Sequence, residues 1–370
     1  MTDFASFVED VRYKVRGLLE VLPADQSSIA VPSEIWDSAS SILKYVLDLS
    51  SHELEKIRFH AGYLTGSIDM FRFTFCTPGQ YDEEQYVTDI GYRHAISELP
   101  ERLWIGEPIE SYFPHPIGLE WRGRIVNSDI ARYQECIADL WRTGVISSIE
   151  GNPDRSTILE IGGGYGGLAH QMSAVLGNHA TVVICDLPLM LFYAAVFLAH
   201  HNKEKRILFF DGAEPEKLDD TVRWDIILSP PGQIETVLTT IGCNIVINMI
   251  SFQEMTETQI HEYCTLSQLY GASVLYSVNK ERHPRNRDLI SLTNLFESCG
   301  YVLHPSPDYY DRWFTREDVN GYHKTRTYFV VLNTDGAARF AIDFIPVHQI
   351  RTTPNPVVAY QLKQEQQNDT

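Results

Sequence analysis

Basic residues are scarce in this chain: 30 Lys and Arg stand against 49 Asp and Glu among 370 residues, a formal charge of -19 at pH 7. A surface that acidic repels phosphate backbones and anionic headgroups, so no nucleic acid and no membrane surface is expected as a partner. Cysteine is sparse too. The six residues, Cys76, Cys136, Cys185, Cys243, Cys264 and Cys299, form no CxxC pair and no zinc-ligand spacing. Several lie in apolar runs, where a small buried thiol in a reducing compartment is the expectation. Long hydrophobic runs are missing: the most apolar stretch, Leu187 to Ala199, falls short of the roughly 20 residues that cross a bilayer. Met1-Thr-Asp-Phe-Ala lacks the basic segment and apolar core of a signal peptide, so a cytoplasmic protein is expected. At 44% hydrophobic and 21% charged residues, disorder and fibrous repeats are excluded as well.

What is present divides the chain into three parts. Residues 1–150 read as a mostly helical region suited to acceptor binding or oligomerisation. Phe4, Phe7, Val8, Val11, Val15, Leu18 and Leu19 recur at helical spacing, and further helices are predicted from Pro32, from Ser51 and from Asp129. The stretch from Phe71 to Trp121, rich in aromatics, Pro and Gly, reads as loop. Residues 151–336 change character. Short apolar runs (Thr157-Ile-Leu-Glu-Ile, Thr181-Val-Val-Ile-Cys, Ile207-Leu-Phe-Phe, Trp224-Asp-Ile-Ile-Leu, Asn244-Ile-Val-Ile-Asn and Ala272-Ser-Val-Leu-Tyr) alternate with helical patterns. That alternation predicts an α/β, Rossmann-like, mostly parallel sheet covered on both faces. A late pair of strands near Tyr301-Val-Leu and Thr327-Tyr-Phe-Val-Val-Leu, with no helix between them, would supply an antiparallel edge. Residues 337–370 form a C-terminal extension.

The sharpest local pattern is Glu160-Ile-Gly162-Gly163-Gly164-Tyr165-Gly166-Gly167, between a strand and a helix. Glycines suit a turn with backbone angles that side chains forbid, and one that a ligand approaches closely. Asp186 ends the next strand, 24 residues past Gly162, where a carboxylate can bind ribose hydroxyls. Together these predict a ligand containing adenosine. Gly162, Gly164 and Gly167 satisfy GxGxxG, which allows a dinucleotide; Gly162, Gly164 and Gly166 equally satisfy the GxGxG of S-adenosylmethionine sites. Glu160 favours the second, because a carboxylate repels a pyrophosphate and attracts a cationic methionyl group.

The blocks Thr157-Ile-Leu-Glu-Ile-Gly-Gly-Gly-Tyr-Gly-Gly-Leu-Ala, Ile184-Cys-Asp-Leu-Pro and Asn248-Met-Ile-Ser-Phe-Gln-Glu-Met resemble the class I S-adenosylmethionine-dependent methyltransferases. Within them the chain is most similar to a family of sugar O-methyltransferases. The resemblance covers about residues 150–335 and, more weakly, the helical region before them. It implies that Glu160, Gly162, Gly163, Gly164 and Gly166 line the methionine end and that Asp186, with Leu187 beside it, meets the ribose. It also implies that Ser229 approaches the adenine, a role for which Asp211 competes. Asn248 and Gln253 would complete the cofactor site. The acceptor would be a hydroxyl of a sugar or a glycosylated, natural-product-like metabolite.

Methyl transfer asks the protein to align an acceptor oxygen and remove its proton. Glu254, after the strand Asn244 to Met249, is one candidate base. His283, in the basic cluster of Lys280, Arg282 and Arg285, is the other, and that cluster hints at an anionic acceptor. His60 and His115 are weaker candidates, and Tyr63, Tyr112, Tyr309, Tyr310 and Trp313 could stack on a sugar ring. Tyr276-x-x-x-Lys280 matches the catalytic pair of short-chain dehydrogenases, but that pair acts from a helix and Tyr276 falls in a predicted strand. No His/Asp spacing is diagnostic of a metal. Three alternatives stay open: methylation of another small-molecule oxygen or nitrogen, a nicotinamide-dependent oxidoreductase, and a non-catalytic assembly partner. A homo-oligomer is compatible with all of them.

Overall fold

The structure is a computed structural model that describes residues 3–20, 28–65, 91–108, 119–218, 223–283, 286–305 and 325–332. The predicted C-terminal extension lies outside the described residues. The N-terminal region starts with α1 (Phe4–Glu20), whose buried Val8, Val11 and Val15 share one face. Three more helices follow, α2 (Glu34–Leu43), α3 (Ser51–Leu54) and α4 (Ile57–Thr65). Ser50 starts α3 with a reciprocal capping box to Glu53.

Two strands lie at the end of the part read as loop and just beyond it. β1 (Leu119–Trp121) and β2 (Arg124–Val126) form an antiparallel hairpin. Its turn places both Arg122 and Gly123 at positive φ (49° and 74°), which matches the twist of a tight hairpin. Strands of three residues are too short to show alternation, so this hairpin leaves no readable pattern. Asn127 then caps α5 (Ser128–Arg142) through a bond from Ile130 N, and α6 (Val145–Gly151) leads into the sheet.

The predicted Rossmann-like sheet has eight strands: β3 (Ser156–Ile161), β4 (Ala180–Cys185), β5 (Ile207–Phe209), β6 (Ile226–Ser229), β7 (Ile245–Met249), β8 (Val274–Lys280), β9 (Tyr301–Pro305) and β10 (Thr325–Leu332). Their order is β5-β6-β4-β3-β7-β8-β10-β9. All pairings from β5 to β8 are parallel, and β10 runs antiparallel to both β8 and β9. The antiparallel strand therefore sits one place inside the edge. β3 and β4 are buried along their whole length, as central strands covered on both faces must be.

Helices α7 (Gly167–Leu176), α8 (Pro188–His201), α9 (Ile234–Ile241), α10 (Glu257–Leu269) and α11 (Leu292–Ser298) complete the α/β unit. α8 is the apolar run noted in the sequence: every residue from Leu189 to Ala199 is buried. Such a helix needs cover on both sides. One side meets the sheet, and α1 covers the other, with Phe4 edge-on to His200 and Arg12 over Phe192. One hydrophobic cluster consequently runs from α1 through α8 into the strands. Among the described residues no helix is long and apolar enough to cross a membrane.

Candidate active site

The chain leaves β3 towards β4 on one side and returns to β7 on the other. Ligands of open α/β sheets bind at such a reversal, beyond the carboxyl ends of the strands. Here the loops after β3, β4 and β7 surround a cleft of about 1180 Å³, open to solvent.

The glycine turn forms its floor. Gly162 has φ +74°, and a Cβ there would lie 2.1 Å from Ser251 Oγ in the loop after β7. The two loops meet at a distance that only glycine permits. Gly164 also has positive φ, with no atom within 4 Å of where its Cβ would be, so its backbone borders the cleft. Tyr165 anchors the turn from behind. It is buried, edge-on to Phe197 of α8 at 4.9 Å between ring centroids, with the Arg58 guanidinium 4.5 Å from its ring centroid.

Four acids border the cleft: Asp129 on α5, and Glu160, Asp186 and Glu254 at the carboxyl ends of the strands. Glu160 is buried, and its Oε2 has no hydrogen-bond partner. Burial first, and Asp186 second, push its carboxyl up to about 8, against a backbone bond from Ala169. Asp186 accepts from Gly164 N and from Leu187 N, both at 2.7 Å. Burial pushes it up to about 7; the two backbone bonds oppose this and Glu254 adds to it. Glu254 is on the 3-10 turn Phe252–Glu254 after β7. Burial raises its carboxyl, while a 2.8 Å bond from Trp36 Nε1 and the charge of Lys280 pull it down.

The sequence candidates therefore divide. Glu160, Gly162, Gly163, Gly164, Asp186, Leu187 and Glu254 all border the cleft. Gly166 does not: it caps α7 at φ +82° and packs on Leu198 of α8. Asn248 and Gln253 are buried beneath the cleft and hold its floor. Asn248 bonds Ile161 O and Phe252 N, and Gln253 Oε1 accepts from Lys280 N. Ser229 is buried at the end of β6 with its hydroxyl on Pro230 O, although Pro231 reaches the cleft. His283, Lys280 and Asp211 are not among the residues bordering the cleft. Tyr276 lies on a strand, and its hydroxyl donates to Asp139 on α5 at 2.9 Å, so it is not paired with Lys280 as a catalytic dyad would be. His60 is engaged with Tyr45 at 2.7 Å. The side chain of Tyr63 and the residues Tyr112, His115, Arg285, Tyr309, Tyr310 and Trp313 lie outside the described residues.

Several cleft residues carry no sequence signal. Ser33 and Trp36 come from the N-terminal region, and the buried Ser33 Oγ has no hydrogen-bond partner. Arg132 and Tyr133 come from α5, with Arg132 paired to Asp129. Among the described residues no group of three or more His, Cys, Asp or Glu is placed to hold a metal ion.

Strand order and cleft thus define a Rossmann-like α/β protein whose ligand cleft is floored by a glycine turn and bordered by buried and half-buried acids. No family model and no curated protein sequence matches the chain. Solved structures similar to it include a precorrin-6y C5,15-methyltransferase from Geobacter metallireducens GS-15 at 13% identity, covering 51% of this chain and 85% of that one, TM-score 0.30. A SAM dependent methyltransferase from Aquifex aeolicus is similar at 13% identity, covering 51% and 87%, TM-score 0.28. The mitomycin 7-O-methyltransferase MmcR is similar at 13% identity, covering 55% and 57%, TM-score 0.29.

Proposed function

We propose that the chain is an S-adenosylmethionine-dependent methyltransferase acting on a hydroxyl of a sugar or glycosylated metabolite in the cytoplasm. The observation that carries this reading is the unpartnered, buried Oε2 of Glu160 beside the glycine turn. A buried carboxylate oxygen with no donor is costly to leave unmatched. The ammonium of a methionyl group supplies both the charge and the hydrogen bond it lacks, whereas a pyrophosphate would add repulsion. Asp186, at the end of β4, suits the ribose hydroxyls with the lone pairs that Gly164 and Leu187 leave open.

When bound, the cofactor supplies an electrophilic methyl group. The chain's own part is to orient an acceptor and take its proton. Glu254 borders the cleft and its raised carboxyl range brings it closer to neutral pH, which suits a general base. His283 is the second candidate from the sequence, and its absence from the cleft border favours Glu254. Four acids, Asp129, Glu160, Asp186 and Glu254, border the cleft against Arg132 as the one base among the described residues. Arg132 is itself paired to Asp129, so this border offers little cationic attraction to an anion, which supports a neutral, hydroxyl-rich acceptor over the anionic one suggested by the basic cluster near His283. In this reading residues 151–336 form the catalytic unit, residues 1–150 shape the acceptor side and any self-association, and residues 337–370 are an appendage.

The test is a calorimetric titration with S-adenosylmethionine, S-adenosylhomocysteine and NADPH. Saturable binding of the first two and none of the third is expected. Binding of NADPH in their place would overturn the reading. Glycosides are then screened with methyl-labelled cofactor, and full turnover by a Glu254→Gln variant would remove Glu254 as the base.

A further inference from the structure

The turn that carries Glu254 is held from below by amides. Phe252 N donates to Asn248 Oδ1 at 3.0 Å and Gln253 N to Asn279 Oδ1 at 3.2 Å. Asn286 Nδ2 donates to the carbonyls of Gln253 at 3.0 Å and Met255 at 2.7 Å. These bonds fix the backbone of the turn, but none of them restrains the Glu254 carboxylate.

The group that holds the carboxylate comes from the other end of the chain. Trp36 on α2, 218 positions away in sequence, donates its indole N–H to Glu254 Oε2 at 2.8 Å. The segment before Trp36 is tied to the same wall, because Gln259 Nε2 on α10 donates to Val31 O at 2.8 Å. Gln259 is itself held by the capping box it forms with Thr256. Val31, Pro32, Ser33 and Trp36 all border the cleft, beside the buried and unpartnered Ser33 Oγ. The N-terminal segment thus closes a wall that the α/β unit does not build for itself.

An indole nitrogen is a donor with no acceptor capacity. It occupies one carboxylate oxygen and orients the group without an ion pair. Its bond and the charge of Lys280 pull the carboxyl down, and burial outweighs both, so the group stays raised. Resting on the methyl-transfer reading above, we propose that Trp36 is a positioning residue that anchors Oε2 of Glu254 and leaves Oε1 to receive the acceptor proton, with segment 28–36 forming the acceptor wall.

The experiment uses the full chain labelled with ¹⁵N in its six tryptophan indoles, and it needs no known acceptor. The N–H resonance that disappears in Trp36→Phe identifies Trp36. Its position is expected to move with pH at a midpoint above the ordinary glutamate range, and the movement is expected to vanish in the isosteric Glu254→Gln. A Trp36 that only packs would leave a resonance insensitive to pH and to Glu254→Gln, and that result overturns the proposal. S-adenosylhomocysteine is titrated on the same samples. Absence of its binding to the wild-type chain overturns the methyl-transfer reading and this proposal with it. Binding with an unresponsive Trp36 overturns this proposal alone.

Discussion

At the scale of one residue, Glu160 is where ligand and proton would be coupled. In the unliganded protein burial holds its carboxyl near 8 and that of Asp186 near 7, so both carry protons at pH 6. In the methyl-transfer reading proposed above, a methionyl ammonium would bind the charged form of Glu160, and binding would expel a proton. Affinity for S-adenosylmethionine is expected to rise from pH 6 to pH 8, by at most about tenfold per pH unit. Calorimetry in two buffers of different ionisation enthalpy would count the released proton. Glu160→Gln should weaken binding by about 10- to 100-fold, the range of a lost charge-assisted hydrogen bond, and flatten the pH dependence. Glu160 and Asp186 were readable because each ends an apolar strand at a fixed distance from the glycines. Trp36 was not, because its partner Glu254 is more than two hundred positions away and no local pattern encodes that pairing; Ser33 borders the same cleft with as little local signal.

Between elements, one buried charge network does most of the aligning. Arg58 on α4 donates to Glu107 at 2.6 and 3.1 Å and to Asp129 on α5 at 3.0 Å. Asn127 donates to the same Glu107 at 2.6 Å while capping α5. Glu107 N also bonds Ile125 O at 2.8 Å, which brings in the hairpin, and Arg58 reaches the glycine turn through Tyr165. Removing one partner strands a buried charge, so Glu107→Ala is expected to destabilise the fold by about 3–5 kcal/mol in urea unfolding. Glu107→Gln should cost less, because it keeps the shape and most of the bonds. This network was invisible in the sequence: Arg58, Glu107 and Asp129 are charged residues without spacing or motif, and only packing makes them partners. The strands β3, β4 and β7 were legible because burial on both faces demands mostly apolar runs. The place of β10 between β8 and β9 was not, since pairing order is a tertiary property.

Across the whole molecule, α1 and α8 decide whether the α/β unit can stand alone. α8 is apolar around its full circumference, and α1 covers the face turned away from the sheet. Deleting residues 1–48 would expose that face, and the shortened chain is expected to aggregate in size-exclusion chromatography. The buried acids add a global pH dependence. Their folded values are raised, so the stability they contribute is complete below the unfolded carboxyl range near 4 and is lost as pH rises through about 7 to 8. The unliganded protein is therefore expected to melt several degrees lower at pH 9 than at pH 6. Glu160→Gln should shrink that difference, and S-adenosylhomocysteine, which carries the same ammonium, should oppose it.

The sequence by itself determined the alternation of strands and helices, the glycine turn, and the acids that end β3 and β4. These are local patterns, written by burial on both faces of a strand and by backbone angles open only to glycine. Tertiary structure alone decided that Trp36 bonds Glu254 and that Ser33 borders the same cleft, that Gly166, Asn248 and Gln253 support the cleft from outside it, and that α1 shields α8. Each of these depends on contacts between distant segments, and the hydrophobic and electrostatic forces that bring them together act through space, leaving no spacing in the chain to read.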